Sequence, residues 1–466
     1  MLRITRSRLV VGTLLIGACS AESPAPLTAP IIVEPSVLAA NPHNVLSATV
    51  ITQLRFADSA AVRYRLHGAS TGGDSITESV AASVGPTTIP VLGLLPARTY
   101  ELRVVAFGPA GSTTGSPLEF TTGALPADLP AYTASGTDPS PGYVAMAAGM
   151  YGIVIDNTGR VVWYHRFTNG PWLNFMAQPN GRYVARQVTT DQTDIEAWIE
   201  LDPLGNATRT LGCHQGLQPR FHDLLTEPNG GYWILCDETR TMDLTEFGGA
   251  ATARVTGQAV QHINASGELL FSWTPFDHFL ITDVDPAFRT GLNVNWTHAN
   301  AIDLDHDGNI LVSFRNLNEI TSISAKTGQV NWRLGGNRNV FALDGSSELF
   351  AGQHSVRVLP SGEVLLLDNV GDSLESRAER WSVDPATRVA RMSGSYGALP
   401  AVRTLIGGSV QGLSPTRTLV SFGTEGRVEE YDSAGSVRWR IEGTPGYVFR
   451  AQRFRSLYRP GAGAAR

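Results

Sequence analysis

Three histidines open three similar runs. His222 begins HDLLTEPNGGYWILCDE, His298 begins HANAIDLDHDGNILVSFRN and His354 begins HSVRVLPSGEVLLLDN, and each stands a few residues ahead of a turn rich in Gly, Asn, Asp or Ser. An apolar return segment follows each turn, which predicts a β-hairpin. The separations, 298 − 222 = 76 and 354 − 298 = 56, are unequal, as irregular insertions between repeated units make them. If the hairpins are equivalent units of one ring, their first strands line its centre and the imidazoles converge. A single histidine at a strand start is more often a hydrogen-bonded structural residue. Three at equivalent positions, with an Asn and an Arg nearby, reverse that preference.

His298 and Asn300 are two apart, so in a regular strand both side chains point to one face. A turn centred near residues 306–307 places Arg315 beside His298. By the same geometry Asn369 or Asp368 should face His354, and Asp237 or Glu238 should face His222, as partners that fix a ring's tautomer. Neutral imidazoles, one guanidinium and an amide, with no carboxylate in the innermost set, favour a bound anion. Arginine's planar fork suits sulfate, phosphate or carboxylate, and a neutral histidine among such donors can be a nucleophile. Three histidines could instead hold zinc with an open position for water. No fourth ligand is evident and Arg315 adds positive charge, so no metal and no cofactor is expected. His165, His214, His262, His278 and His306 read as rim or loop residues. Asp303, Asp305 and Asp307 begin like a calcium loop, but the twelfth position is Phe314 rather than the bidentate Glu, and a hairpin turn is the better reading.

The elements that must position these residues form a repeat. Residues 298–304, 310–315, 320–324 and 330–334 read as four short strands in succession, which is the pattern of a propeller blade. A closing hydrophobic strand, often with Trp, recurs at 161–165, 199–201 with 207–211, 269–273, 330–334, 389–392 and 437–441, giving six repeats. The tail, 447–458, is an alternating strand left over, able to pair near 142–149 and close the ring, which removes exposed edges. Upstream, residues 31–125 alternate between short strands and Gly/Ser/Thr/Pro turns over the length of a sandwich domain, and LLPARTY at 94–100 resembles the tyrosine corner of fibronectin type III domains. The expected fold is therefore all-β, a six-bladed β-propeller (126–466) preceded by a small fibronectin-III-like β-sandwich (31–125).

The chain's 466 residues, 42% hydrophobic and 17% charged with 48 Gly and 27 Pro, suit a turn-rich protein of two domains. A net charge of −6 and the lack of a basic run argue against nucleic acid or an anionic membrane surface as partner. Arg3, Arg6 and Arg8 precede a short apolar run at 9–18, a secretory signal too short to span a bilayer. It ends LIGACS, which resembles a lipobox with Cys19 lipidated, so residues 1–18 are expected to be a signal peptide and 19–30 a linker from a lipid anchor in the bacterial cell envelope, periplasm or outer membrane. Cys213 and Cys236 remain, either as a disulfide or as two free thiols.

Residues 296–335, WTHANAIDLDHDGNILVSFRNLNEITSISAKTGQVNWRLG, resemble the bacterial aryl-sulfate sulfotransferases, in which a His-Ala-Asn strand start is followed by a return strand with Ser and Arg and a Lys-Thr-Gly…Trp turn. The resemblance extends to the starts at Gln353-His354 and His222-Asp223 and, in organisation, over 126–458. It implies a six-bladed propeller that moves a sulfuryl group from an aryl sulfate to a phenol by ping-pong kinetics, without nucleotide-activated sulfate. Carried over, His354 matches the nucleophile that becomes sulfohistidine. His222, His298, Asn300 and Arg315 match the groups that hold the sulfate oxygens and assist the phenol oxygens, with Asn369 and Asp223 among the substrate-binding positions. Ser355 after His354, and cysteines remote from His354, depart from the pattern. Two other readings stay open: a quinoprotein-like propeller, suggested by the turn at 324–332, and a non-enzymatic surface propeller used for binding.

Overall fold

The computed structural model describes residues 27–69, 73–171, 173–187, 197–345, 348–371, 374–442 and 446–462. The expected signal segment, Cys19 and most of the linker lie outside the described residues. Within them the regular structure is strands joined by turns, with a few three-residue 3₁₀ turns.

The first part of the chain makes two sheets. Ile31–Ala40, Ala48–Arg55 and Thr87–Val91 form one, and Ser59–Leu66 with Thr99–Gly108 and short flanking strands forms the other. Residues two apart, such as Val50, Ala60 with Val62, Ile89 with Val91, and Leu102 with Val104, turn inward to a shared core, as strand periodicity requires. The Tyr100 hydroxyl accepts the Leu95 N–H at 2.8 Å. This part is tied to the rest where Asn41 donates to the Leu204 carbonyl at 2.8 Å and Val45 N–H donates to the Tyr164 hydroxyl at 3.1 Å.

From Thr133 onward the chain makes six sheets, each chiefly of four successive antiparallel strands. Their inner edges are Ala451–Phe454, Phe175–Ala177, Gln218–Thr226, Ala299–Leu304, His354–Val358 and Ser409–Ser414. A separate hydrophobic cluster fills the space between each sheet and the next, including between the sixth and the first, so the sheets close into a ring. Strands such as Ile310–Phe314 (ILVSF) and Val364–Asp368 (VLLLD) are buried along their whole length. Each lies between two neighbours, so alternate residues supply different clusters: Ile310 and Val312 pack toward the third sheet, Leu311 toward the fifth.

Closure uses two distant segments. Ala451–Phe454 pairs with Tyr143–Ala148 in the register Tyr143↔Phe454 to Met146↔Ala451, as the leftover tail predicts. The sequence did not suggest that Thr133–Gly136 would add a fifth strand to the sixth sheet beside Val437–Glu442. The turns recur as Asp-x-x-Gly, and at residues 305–309 the Asp305 carboxylate accepts the Asp307 and Asn309 N–H groups at 2.9 and 2.8 Å, with Gly308 at φ +79°. That carboxylate serves a turn.

A disulfide joins Cys213 to Cys236, with Cα atoms 6.1 Å apart; Cys236 lies in the middle of Tyr232–Met242, not at the end of a strand. The bond closes a sequence separation of 23 residues. Replacing both cysteines by serine is expected to lower unfolding stability by about 3 kcal/mol, read as a lower denaturant midpoint at unchanged m-value. An unchanged midpoint would show that the bond does not restrain the unfolded chain.

Candidate active site

Each histidine lies within, beside or just ahead of an irregularity in its strand ladder. The pairing register slips between Pro219 and Leu224, between Ala299 and Ala301, and between His354 and Arg357. His298 itself has φ +50° and Ser355 has φ +62°, a left-handed backbone that costs a non-glycine residue on the order of 1–3 kcal/mol. A bulge re-aims the side chain it carries. The three adjacent inner strands are thus irregular within two residues of the ring that enters the site.

The rings meet as the aligned hairpins predict. His222 and His298 have centroids 4.9 Å apart, and Phe449 packs against both His222 (5.8 Å) and His354 (6.2 Å). His354 is buried. Its Nδ1 lies 2.8 Å from Asn369 Oδ1 and 3.0 Å from the Gly352 carbonyl, while the Gly407 N–H donates to its Nε2 at 3.2 Å. Two acceptors on one side and a donor on the other fix the tautomer: Nδ1 carries the proton and Nε2 the lone pair. Burial, reinforced by the charges of Arg315 and Arg450 and opposed by the Asn369 bond, pushes its pKa down to about 4. Burial first, then neighbouring arginines and imidazoles, also holds His222 and His298 well below the usual range. All three are neutral at pH 7.

Arg315 lies beside His298, its own N–H donating to the His298 carbonyl at 3.0 Å. Nη1 donates to Asn316 Oδ1 at 3.0 Å and Nη2 reaches the Leu405 carbonyl at 3.5 Å. Among the described residues no carboxylate pairs with it, its buried Nε has no partner, and burial lowers its pKa. A half-buried guanidinium without a counter-charge is an anion site.

The other expected residues have structural partners. His298 is left-handed and the ladder slips between Ala299 and Ala301, so strict strand alternation does not run from His298 to Asn300. Asn300 Nδ2 donates to the Gln353 carbonyl at 2.7 Å, bracing the residue before His354, and its buried Oδ1 has no partner. Asn369 gives both amide hydrogens to the carbonyls of Thr404 (3.0 Å) and Gly407 (2.9 Å), so its whole amide serves to orient His354. Asp223 accepts from Arg357 at 3.1 Å and the Ile302 N–H at 3.1 Å, and pairs with Arg450 at 3.3 Å. With Asp303, these groups line a cavity of about 80 Å³. Asp368 and Glu238 face other partners, the Ala351 N–H and Thr274. His165 lies on the outermost strand of its sheet, Val161–Arg166, as a rim residue should, stacked on Trp163, and His262 lies instead in the interior strand Ala253–Ile263, stacked on Trp233.

Several site residues were not singled out from the sequence. Phe449 and Arg450 directly precede the closing strand, the same position His298 holds in its own sheet. Arg450 is buried, its Nη2 donating to the His222 carbonyl at 3.1 Å and its Nε to Asn174 at 3.2 Å. Gly407 is the first of two left-handed glycines, φ +70° and +96°, and this Gly-Gly pair before a strand was a readable signal. Arg220, two residues before His222, donates to His222 Nδ1 at 2.9 Å.

The family model described as Arylsulfotransferase (ASST) matches residues 218–444. No curated protein matches the chain. Among solved structures, a protein of unknown function from Bacteroides caccae is 14% identical at a TM-score of 0.41, over 65% of this chain and 93% of its own. Streptogramin B lyase is 11% identical at a TM-score of 0.38, over 71% of this chain and 91% of its own.

Proposed function

On the premise of the arylsulfotransferase match over residues 218–444, which supports that family for the chain, we propose an aryl-sulfate sulfotransferase working by a ping-pong mechanism through a sulfohistidine at His354. The observation that carries the reading is the state of His354: a neutral imidazole with its proton held on Nδ1, within electrostatic reach of an Arg315 that has no carboxylate partner among the described residues.

In the first half-reaction the Nε2 lone pair attacks sulfur, an N–S bond forms and the S–O bond to the aryl group breaks. The Asn369 and Gly352 oxygens at Nδ1–H stabilise the positive charge that grows on the ring. Arg315 neutralises the sulfuryl oxygens. The incoming group must displace the Gly407 N–H from Nε2. The phenolate departs and takes a proton from solvent, which the second half-reaction returns. In return, an entering phenol gives up its proton to a neighbouring imidazole as its oxygen takes the sulfuryl group and the N–S bond breaks. One sulfuryl group and one proton change places, with no nucleotide-activated donor. Phe221, stacked on His222 at 4.0 Å, and Phe449 supply aromatic walls for the aryl ring.

The wider assignment is that the six sheets are the blades of a propeller (126–466), that residues 31–125 are a fibronectin-III-like sandwich, and that lipidated Cys19 tethers both to the cell envelope. The test is a quenched reaction with 4-nitrophenyl sulfate and no acceptor. Intact protein should gain one sulfuryl group on His354, and initial-rate plots at several phenol concentrations should be parallel. Intersecting lines with no adduct would sink the covalent reading.

The pH dependence follows from the sign of the shift. A pKa lowered to about 4 keeps His354 neutral and nucleophilic well below pH 6.5. The donor kcat/KM should therefore stay level from neutral pH into the acid range and fall only as pH approaches about 4. A limb at the ordinary histidine value would contradict the burial of the nucleophile.

A further inference from the structure

His222 and His354 carry opposite tautomers, and a chain of buried and partly buried groups fixes the one on His222. Arg220 Nε donates to His222 Nδ1 at 2.9 Å, and a guanidinium has no acceptor, so Nδ1 must hold the lone pair and Nε2 the proton. Arg220 is itself held: its Nη1 donates to Asp237 Oδ2 at 3.1 Å, and Gln258 Nε2 donates to Asp237 Oδ1 at 2.8 Å. The Gln258 side-chain oxygen accepts the Thr297 hydroxyl at 2.8 Å and the Ala299 N–H at 2.9 Å, the two residues that flank His298. The network therefore runs from both sides of His298 to the far nitrogen of His222. Asp237, foreseen as a direct partner of His222, acts one residue removed.

Resting on the sulfotransfer reading, we infer that Arg220 is a positioning residue that locks His222 as a neutral Nε2–H donor to the bridging phenolic oxygen, so that His222 stabilises the departing phenolate by a hydrogen bond it never converts into proton transfer. Proton transfer from Nε2 would leave an imidazolate, whereas a neutral imidazole can polarise oxygen without titrating. The charged and titratable groups around the ring favour that state: Arg220 on its own strand, Arg450 bound to its carbonyl, Asp223 neutralised by Arg357 and Arg450, and the imidazoles of His298 and His354. A hydrogen bond that strengthens as phenolate charge grows matters most for the most basic leaving group.

The test has two arms. Nitrogen-15 NMR of histidine-labelled intact protein, with the His222 signals identified from His222→Gln, should show Nδ1 unprotonated and Nε2 protonated from about pH 5 to 8, across the ordinary histidine pKa. A His222 that is protonated on Nδ1, or that titrates in this window, overturns the proposal even if no aryl sulfate turns over. In the second arm, Arg220→Gln should lower kcat/KM by about 10²-fold for phenyl sulfate and by less than about tenfold for 4-nitrophenyl sulfate. Arg220→Lys, which keeps a charged donor, should fall between. Equal losses on both donors would reduce Arg220 to a structural residue. Absence of a sulfuryl adduct in the unsubstituted protein would instead count against the sulfotransfer reading, leaving the tautomer measurement to stand alone.

Discussion

His354→Ala should eliminate transfer from any aryl sulfate to any phenol and leave no sulfuryl adduct, a loss on the order of 10⁴-fold or more in kcat, as for removal of a nucleophile from a covalent mechanism. Neither neighbour can take over. His222 has its Nδ1 occupied by Arg220 and presents a proton rather than a lone pair, and His298 Nδ1 meets the Asn295 side-chain amide nitrogen at 2.6 Å where His354 Nδ1 meets two oxygens. The variant removes a buried ring but leaves Asn369's two amide hydrogens on the Thr404 and Gly407 carbonyls, so the surrounding strands keep most of their bonds. Unchanged circular dichroism would confirm that chemistry, not folding, is lost. His354→Gly with added imidazole should recover part of the rate, because the cavity returns a diffusible nucleophile to the same place. Full activity in His354→Ala would end the covalent mechanism.

Arg315→Ala is expected to lower kcat by about 10²- to 10³-fold, the range found when a donor to developing anionic charge is removed. Arg315→Lys should recover only part, since a point charge cannot reproduce a planar fork. Stability should move the other way. Arg315 is half-buried with an unpartnered Nε and no carboxylate pair among the described residues, so alanine should unfold at an equal or higher denaturant concentration, the mark of a residue kept for function. Its charge also depresses His354 and His298, so the acid limb of the pH profile should move up in the variant. A variant that is less stable and equally active would assign Arg315 to the scaffold.

Much of this site is local information and was readable as such. The four strands around Thr297, the meeting of His222, His298 and His354, the place of Arg315 beside His298 and the bond from Asn369 to His354 all follow from hairpin register. What failed to appear depends on breaks in that register. The left-handed His298 and the register shifts near the three histidines are not visible in a two-residue periodicity. Arg220 reaches His222 only because its strand is unpaired between Pro219 and Leu224. The sheet that the tail at 447–458 completes was legible, but not that Phe449 and Arg450, just ahead of its paired residues, reach the site. Charge pattern alone likewise could not show that Asp223 answers two arginines while Arg315 answers none.

The closing strand carries a consequence for how the protein is made. Phe449 and Arg450 stand immediately before Ala451–Phe454, downstream of every other residue of the site, while the partner strand Tyr143–Ala148 is synthesised some three hundred residues earlier. A growing chain can assemble the third, fourth and fifth sheets and bring the imidazoles together, yet the Phe449 ring that touches both His222 and His354 is missing and Asp223 lacks one of its two cations until the last strand arrives. Translation order thus acts as a safety catch: the pocket around His354 stays half-built until the closing strand has been made and paired.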